Sequence, residues 1–351
     1  MNLGRLIIDI NTGELTKNDI DILQHPYIGG VILFARNFIS IEQASSLIAS
    51  IKDLRSPSLI IYLDHEGGRV QRFKDGLTVL PSVDTLGIKY NEKPHEAIEL
   101  SSDLGWLMGF ELSYLGVDVN TMPVLDIDYK RSNIMSMRCF AEDPSIVSEL
   151  TAAFLKGVKT TNMRSICKHY PGHGYAKTDS HLELPDDKRG FKAIFNNDLL
   201  PYKQAIELGV EGIMTSHVRY NNIDKLPPTI SRKWLQILRN DLRYKGLIFS
   251  DDMSMKALNE FGSVEDNLLK SIDAGCDCIF ICNDREMVVK ILDNIVMEST
   301  LEVTSKIIKL NRPKVKKEDL YVNKKRISII EKLKKIDEKT NRNNTISINY
   351  E

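Results

Sequence analysis

Eight short apolar runs with helical stretches between most of them limit what this chain can fold into. They are RLIIDI (5–10), GGVILF (29–34), SLIIYL (58–63), VDVNTM (117–122), MRSICK (163–168), EGIMTS (211–216), KGLIFS (245–250) and CDCIFIC (276–282). Amphipathic segments lie between them, among them IEQASSLIASIKDLR (41–55), EAIELSSDLGWLMGFELSYLG (96–116), PSIVSELTAAFLKGVKTT (144–161) and VEDNLLKSIDAG (264–275). Near-continuous apolar strands alternating with helices imply a parallel sheet covered by helices. Eight is the number of strands that closes a (β/α)8 TIM barrel, which needs about 250 residues and tolerates insertions. A doubly wound open sheet would need a glycine-rich phosphate loop after its first strand, and none follows RLIIDI. The expectation is an α/β fold, a single-domain barrel over 1–313.

From Lys314 the composition changes to Lys, Asn and Glu, with Ile329, Ile330, Leu333 and Ile336 at helical spacing. The segment 314–351 is expected to form an amphipathic helix packed on the barrel, followed by a polar tail. Its lysines alternate with acidic residues, which fits a solvated helix face better than a site for an anionic partner.

The hydrophobic content of 42% and charged content of 27% are those of a soluble globular protein. A net charge of -1 gives no general attraction to nucleic acid or to an anionic membrane. The first apolar window is broken at Asp9, too soon for a signal peptide or a membrane span. The five cysteines, an odd number, point to reduced thiols and a cytoplasmic location. Cys276, Cys278 and Cys282 fall in an apolar strand and are expected in the core rather than on a metal.

Barrel active sites lie at the C-terminal ends of the strands. There the chain places Asn11; Ala35, Arg36 and Asn37; Asp64, His65 and Glu66; Lys168 and His169; Ser216 and His217; Asp251 and Asp252; and Asn283 with Asp284. Five of the seven histidines (65, 169, 173, 181 and 217) belong to these ends or the loops beyond. The segment KHYPGHGYAKTDSHLELP (168–185) is the densest, and its two glycines and two prolines rule out a regular element throughout. Titratable groups gathered on one rim favour an enzyme.

Taken together, GGVILFARNF (29–38), DHEGGRVQRF (64–73), MPVLDI (122–127), MRCFAEDP (137–144), KHYPGHG (168–174), DSH (179–181), IMTSHV (213–218) and FSDDMSM (249–255) resemble glycoside hydrolase family 3. The similarity is to its single-domain bacterial β-N-acetylhexosaminidase branch, and it runs from near the N-terminus to about residue 285. The resemblance implies a retaining hydrolase with Asp251 as nucleophile and with His181 and Asp179 as an acid–base dyad. Imidazole, with an unperturbed pKa of about 6.5, can give and take a proton near neutrality. Asp64, Arg72, Arg138, Lys168 and His169 match the residues that hold sugar hydroxyls, while Glu66, Arg69 and His217 are expected to support them. Asp252 is expected to cap the following helix.

The resemblance further implies an exo-β-N-acetylglucosaminidase acting on muropeptide fragments during peptidoglycan recycling, with no metal and no organic cofactor. The expected state is a monomer, with no nucleic-acid or membrane partner. A phosphorylase or a β-glucosidase of the same family, a barrel metallohydrolase and a non-catalytic sugar binder are the alternatives. His65 stands where the family has glutamine, Ala141 where glycine is commoner, and the stretch DYKRSNIMS before Arg138 is long.

Overall fold

All eight apolar runs form parallel strands that close on themselves in chain order. This computed structural model describes residues 3–132, 135–178, 180, 182–297, 299–312 and 320–340. The strands are β1 (Leu6–Ile8), β2 (Ile28–Leu33), β3 (Ile60–Leu63), β4 (Val119–Asn120), β5 (Arg164–Tyr170), β6 (Gly212–Thr215), β7 (Leu247–Asp252) and β8 (Cys278–Ile281). β8 pairs with β1 through Leu6 and Ile279, which completes the barrel. The expected (β/α)8 architecture is therefore the observed one, and β5 includes Lys168 and His169 and extends to Tyr170.

The helices begin where local chemistry satisfies their first N–H groups. Ser40 accepts from the Gln43 N–H at the start of Ile41–Asp53. Asp143 accepts from Ser145 and stands before Pro144, whose missing N–H costs nothing at a first helical position. Ser263 and Asp266 form a reciprocal capping box on Val264–Ala274. The long helix Pro94–Leu115 ends at Gly116, in the left-handed conformation that glycine adopts without penalty.

Aromatic rings fill the barrel interior. Tyr62, Phe249 and Phe280 from β3, β7 and β8 meet with centroids 5.6–6.1 Å apart. Glycines on other strands make room for them: a Cβ on Gly30 would lie 2.5 Å from the Tyr62 ring, and one on Gly212 would lie 2.7 Å from Phe249. All five cysteines are free and buried, as expected of core thiols. No helix among the described residues is long and apolar enough to cross a membrane.

The C-terminal helix, Lys324–Thr340, packs on the barrel with Ile329 and Leu333 in the core. Its Arg326 Nε donates to Glu111 Oε1 at 2.6 Å, with both side chains almost wholly buried. Glu111 also accepts from the Thr78 backbone and hydroxyl, so the pair joins the helix to Pro94–Leu115 and to the loop after β3. The anticipated boundary near 313 and the polar tail at 341–351 lie outside the described residues.

Removing one member of such a pair strands the other charge. Arg326→Ala is expected to cost about 3 kcal/mol of unfolding free energy in urea titrations, while Arg326→Met with Glu111→Leu regains most of it. Equal losses in the single and double variants would show that packing, not the stranded carboxylate, dominates.

Candidate active site

The site begins where β3 ends. A short hairpin, His65–Gly67 with Val70–Gln71, follows Leu63 and turns through Gly67 and Gly68 at φ 90° and 55°. Alternation along this segment turns Asp64 and Glu66 toward one set of partners and His65 away from them. Lys168 Nζ lies 2.8 Å from Asp64 and 2.7 Å from Glu66. Arg72 reaches Asp64 at 3.3 Å, and the Thr121 hydroxyl donates to the same carboxylate. Arg138 grips Glu66 with two bonds of 2.8 Å.

Electrostatics keep this array ionised. Burial alone would raise the pKa of Asp64, but Lys168 and Arg72, with hydrogen bonds from Lys168 and Thr121, hold it well below the usual carboxylate range. Burial opposes ionisation of Glu66 too, yet Arg138 and Lys168 bring it down to about 2. In turn the two carboxylates overcome burial of Lys168 and raise its pKa. Four of the five expected sugar-binding residues thus form one bonded network, with Glu66 as its bridge.

The fifth, His169, belongs to a second cluster. Its Nδ1 lies 2.7 Å from Asp126 Oδ2, and the peptide joining it to Lys168 is cis. Asp126 Oδ1 accepts the His173 backbone N–H at 2.6 Å and that of His169 at 3.3 Å. Asp126 is fully buried and has its pKa lowered: burial works against this, and His169 outweighs it. Its role was not singled out from sequence; the signal was a carboxylate inside the apolar run MPVLDI.

At the end of β7 two adjacent aspartates separate by environment. Asp252 accepts from the Ser254 N–H and hydroxyl and from the Cys282 N–H at 2.8–3.1 Å. Burial pushes its pKa up to about 6. The expected helix cap is therefore a pin between a turn and β8. Asp251 is half-buried, accepts the Asp252 N–H at 2.9 Å, and lies near enough to His173 to favour that ring's protonated form. His217 supports this backbone from below. Its Nε2 is 3.0 Å from the Asp252 carbonyl, which can only accept, so Nε2 carries the proton, and Nδ1 lies 2.8 Å from the Thr229 hydroxyl.

Past β5, Arg189 ties the loop that returns to the helices. It donates to Asp187 and Asp198 at 2.6–3.1 Å and lies 4.5 and 4.2 Å from the ring centres of Tyr129 and Tyr175. Arg131, in the long stretch before Arg138, covers Tyr175 at 3.9 Å. Asp179 and His181 lie outside the described residues. No group of three His, Cys, Asp or Glu side chains among the described residues is placed to hold a metal ion. The arrangement can bind a polyhydroxylated ligand through charge-assisted hydrogen bonds and present one carboxylate, Asp251, beside it.

Residues 5–316 match the glycosyl hydrolase family 3 N terminal domain. The β-hexosaminidase of Hydrogenovibrio crunogenus is 41% identical over 312 residues, covering 89% of this chain and 87% of that relative. The crystal structure of NagZ from Neisseria gonorrhoeae in complex with N-trifluoroacetyl-D-glucosamine superposes with a TM-score of 0.90 at 34% identity, covering 96% of this chain and 98% of that one. A family 3 β-N-acetylglucosaminidase from Paenibacillus sp. str. FPU-7 gives 0.84 at 25% identity, covering 94% and 67%.

His65, read from sequence as a rim residue, turns out to be a core residue. It is 0% exposed, and neither ring nitrogen has a hydrogen-bond partner among the described residues. Burial lowers its pKa from about 6.5 to about 3. The folded state therefore binds fewer protons than the unfolded chain between those values, and stability falls as pH drops through this window. Against His65→Gln, the wild type is expected to lose about 2 kcal/mol more between pH 7.5 and pH 5 in chemical denaturation. Parallel pH curves would mean that the ring reaches water or a partner.

Proposed function

The chain belongs to glycoside hydrolase family 3, and from that premise we propose that it is a retaining exo-β-N-acetylglucosaminidase. The observation that carries the reading is the buried network of Asp64, Arg72, Lys168, Glu66 and Arg138, with Asp251 half-buried at the end of β7. Such a network suits a neutral sugar, because each hydroxyl both donates and accepts. The preference for an N-acetylated sugar draws on the relatives: those named β-hexosaminidase, and the NagZ bound to N-trifluoroacetyl-D-glucosamine.

In the proposed reaction Asp251 attacks the anomeric carbon as the glycosidic oxygen leaves with a proton from His181. The covalent glycosyl-aspartate is then opened by water, whose proton returns to His181. Asp179 orients the imidazole and stabilises its charged form, as the aspartate does in serine hydrolases. Asp64, Arg72, Arg138, Lys168 and His169 bind the sugar, and no cofactor is required. The expected substrates are muropeptide fragments with a terminal non-reducing GlcNAc, met during peptidoglycan recycling. Free, buried thiols suit a cytoplasmic setting, and the reading is of a monomer.

The test is hydrolysis of 4-nitrophenyl β-N-acetylglucosaminide beside the matching glucoside, with wild type and Asp251→Asn. Turnover of the N-acetyl sugar alone is expected, falling at least roughly 10³-fold in the variant, the scale on which loss of a nucleophile registers. Preference for the glucoside, or sugar 1-phosphate accumulating in phosphate buffer, would replace the proposal with another family activity. His181→Ala should lower kcat/KM about 10²–10⁴-fold for poor leaving groups and far less for activated aryl glycosides. Equal losses would remove the acid role.

A further inference from the structure

Among the described residues that tie the loop between β5 and the helix Phe191–Asn196 are Tyr175, Ser180 and Asp187, and their ties differ in kind. Tyr175, near its start, is stacked between Arg131 and Arg189. Asp187, near its end, is bonded to Arg189 by charge-assisted hydrogen bonds. Between them Ser180 is 3% exposed, which is unusual for a serine in a glycine-rich polar loop. Its Oγ is 3.0 Å from His173 Nε2, and its carbonyl accepts the Ala257 N–H at 3.2 Å. Ala257 lies in the turn Lys256–Phe261, just past the strand that carries Asp251.

His173 is itself held in place. Its backbone N–H is bonded to Asp126, the carboxylate that also orients His169, and the two rings meet edge to face at 5.9 Å. Its Nδ1 has no partner among the described residues. Burial, with His169 next, lowers its pKa to about 4, so the ring is neutral near pH 7 and bonds Ser180 as an uncharged group. A phenylalanine or leucine would fill the same space without the cost of burying an imidazole. What the imidazole adds is one directed bond to Ser180.

We propose that His173 is a positioning residue for the acid–base step, acting through Ser180. Consecutive Cα atoms are about 3.8 Å apart, so holding Ser180 restrains the backbone leading into residues 179 and 181. The chain of contacts runs from the sugar-binding His169 through Asp126 and His173 to Ser180, and from Ser180 to the segment after Asp251. The outer ties are charge-assisted or stacked, whereas the His173–Ser180 bond is neutral, and neutral bonds are roughly half as strong. Losing the Ser180 hydroxyl therefore removes a described tie adjacent in sequence to both members of the dyad while the loop ends stay anchored. The inference rests on the reading of Asp179 and His181 as the acid–base pair.

The experiment measures kcat/KM on phenyl and 2,4-dinitrophenyl β-N-acetylglucosaminides for wild type, Ser180→Ala, His173→Gln, the double variant and His181→Ala. N-acetylglucosamine inhibition and thermal melting are recorded alongside. Ser180→Ala is expected to lose about tenfold on the phenyl substrate, a fraction of the full acid contribution, and less than about twofold on the activated one. Inhibition and melting should stay near wild type, and the double variant should be no worse than His173→Gln, because the two residues act through one bond. If His181→Ala discriminates between the substrates and Ser180→Ala does not, the positioning role is overturned and the dyad stands. If His181→Ala does not discriminate, the dyad reading and this inference both fall.

Discussion

The ammonium of Lys168 has two carboxylates within hydrogen-bond reach, Asp64 at 2.8 Å and Glu66 at 2.7 Å, and all three groups are largely withdrawn from water. Taking charges out of water costs several kcal/mol each unless geometry and further hydrogen bonds compensate. Here further hydrogen bonds offset that cost: Arg138 bonds Glu66 twice, while Thr121 and Arg72 bond Asp64. The barrel makes this possible. β4 lies between β3 and β5, with Leu63 beside Asn120 and Asn120 beside Ser165. The residues just beyond those pairs are thereby brought onto one rim. A slip in that register would separate Lys168 from its carboxylates and leave buried charges unpaired. The same array of charges thus penalises misassembly of the barrel.

Asp126 does for the histidines what Glu66 does for the cations. One oxygen orients the His169 ring and the other accepts two backbone N–H groups, so the end of β5 and the start of the following loop are fixed by one buried carboxylate. Beyond it, Arg189 gathers Tyr129, Tyr175, Asp187 and Asp198 into a second anchor. Burial raises the pKa of Asp198 to about 6 despite the arginine. Among the described residues the loop is therefore held toward its ends by charge and stacking, and at Ser180 by neutral bonds to His173 and Ala257.

Environment rather than residue type assigns the roles on the rim. Asp251 and Asp252 are neighbours in sequence, yet Asp252 is bound by three hydrogen bonds to a turn and to the residue after β8, while Asp251 accepts the Asp252 N–H and lies near His173. His65 and His217 both follow strand ends. One is turned into the core, its ring without a hydrogen-bond partner among the described residues, and the other holds the backbone carbonyl of Asp252.

The barrel was legible in the sequence because each strand and helix announces itself through local periodicity, and eight apolar runs admit few closures. Ser40, Asp143 and Ser263 begin helices for reasons contained in the next three residues. The set expected to bind sugar could be named from motifs, since Asp64, Arg72, Arg138, Lys168 and His169 each stand in a recognisable stretch. Contacts across long sequence separations were not legible. Nothing near Glu66 predicts that it bridges Lys168 and Arg138, and nothing in MPVLDI predicts that Asp126 serves two histidines over 40 residues away. The sequence by itself determined the elements, their order and the chemistry available at the rim. Only the tertiary structure decided which aspartate is pinned, which histidine is buried and which charges meet, because those outcomes depend on strand register and burial, properties that no local stretch of chain contains.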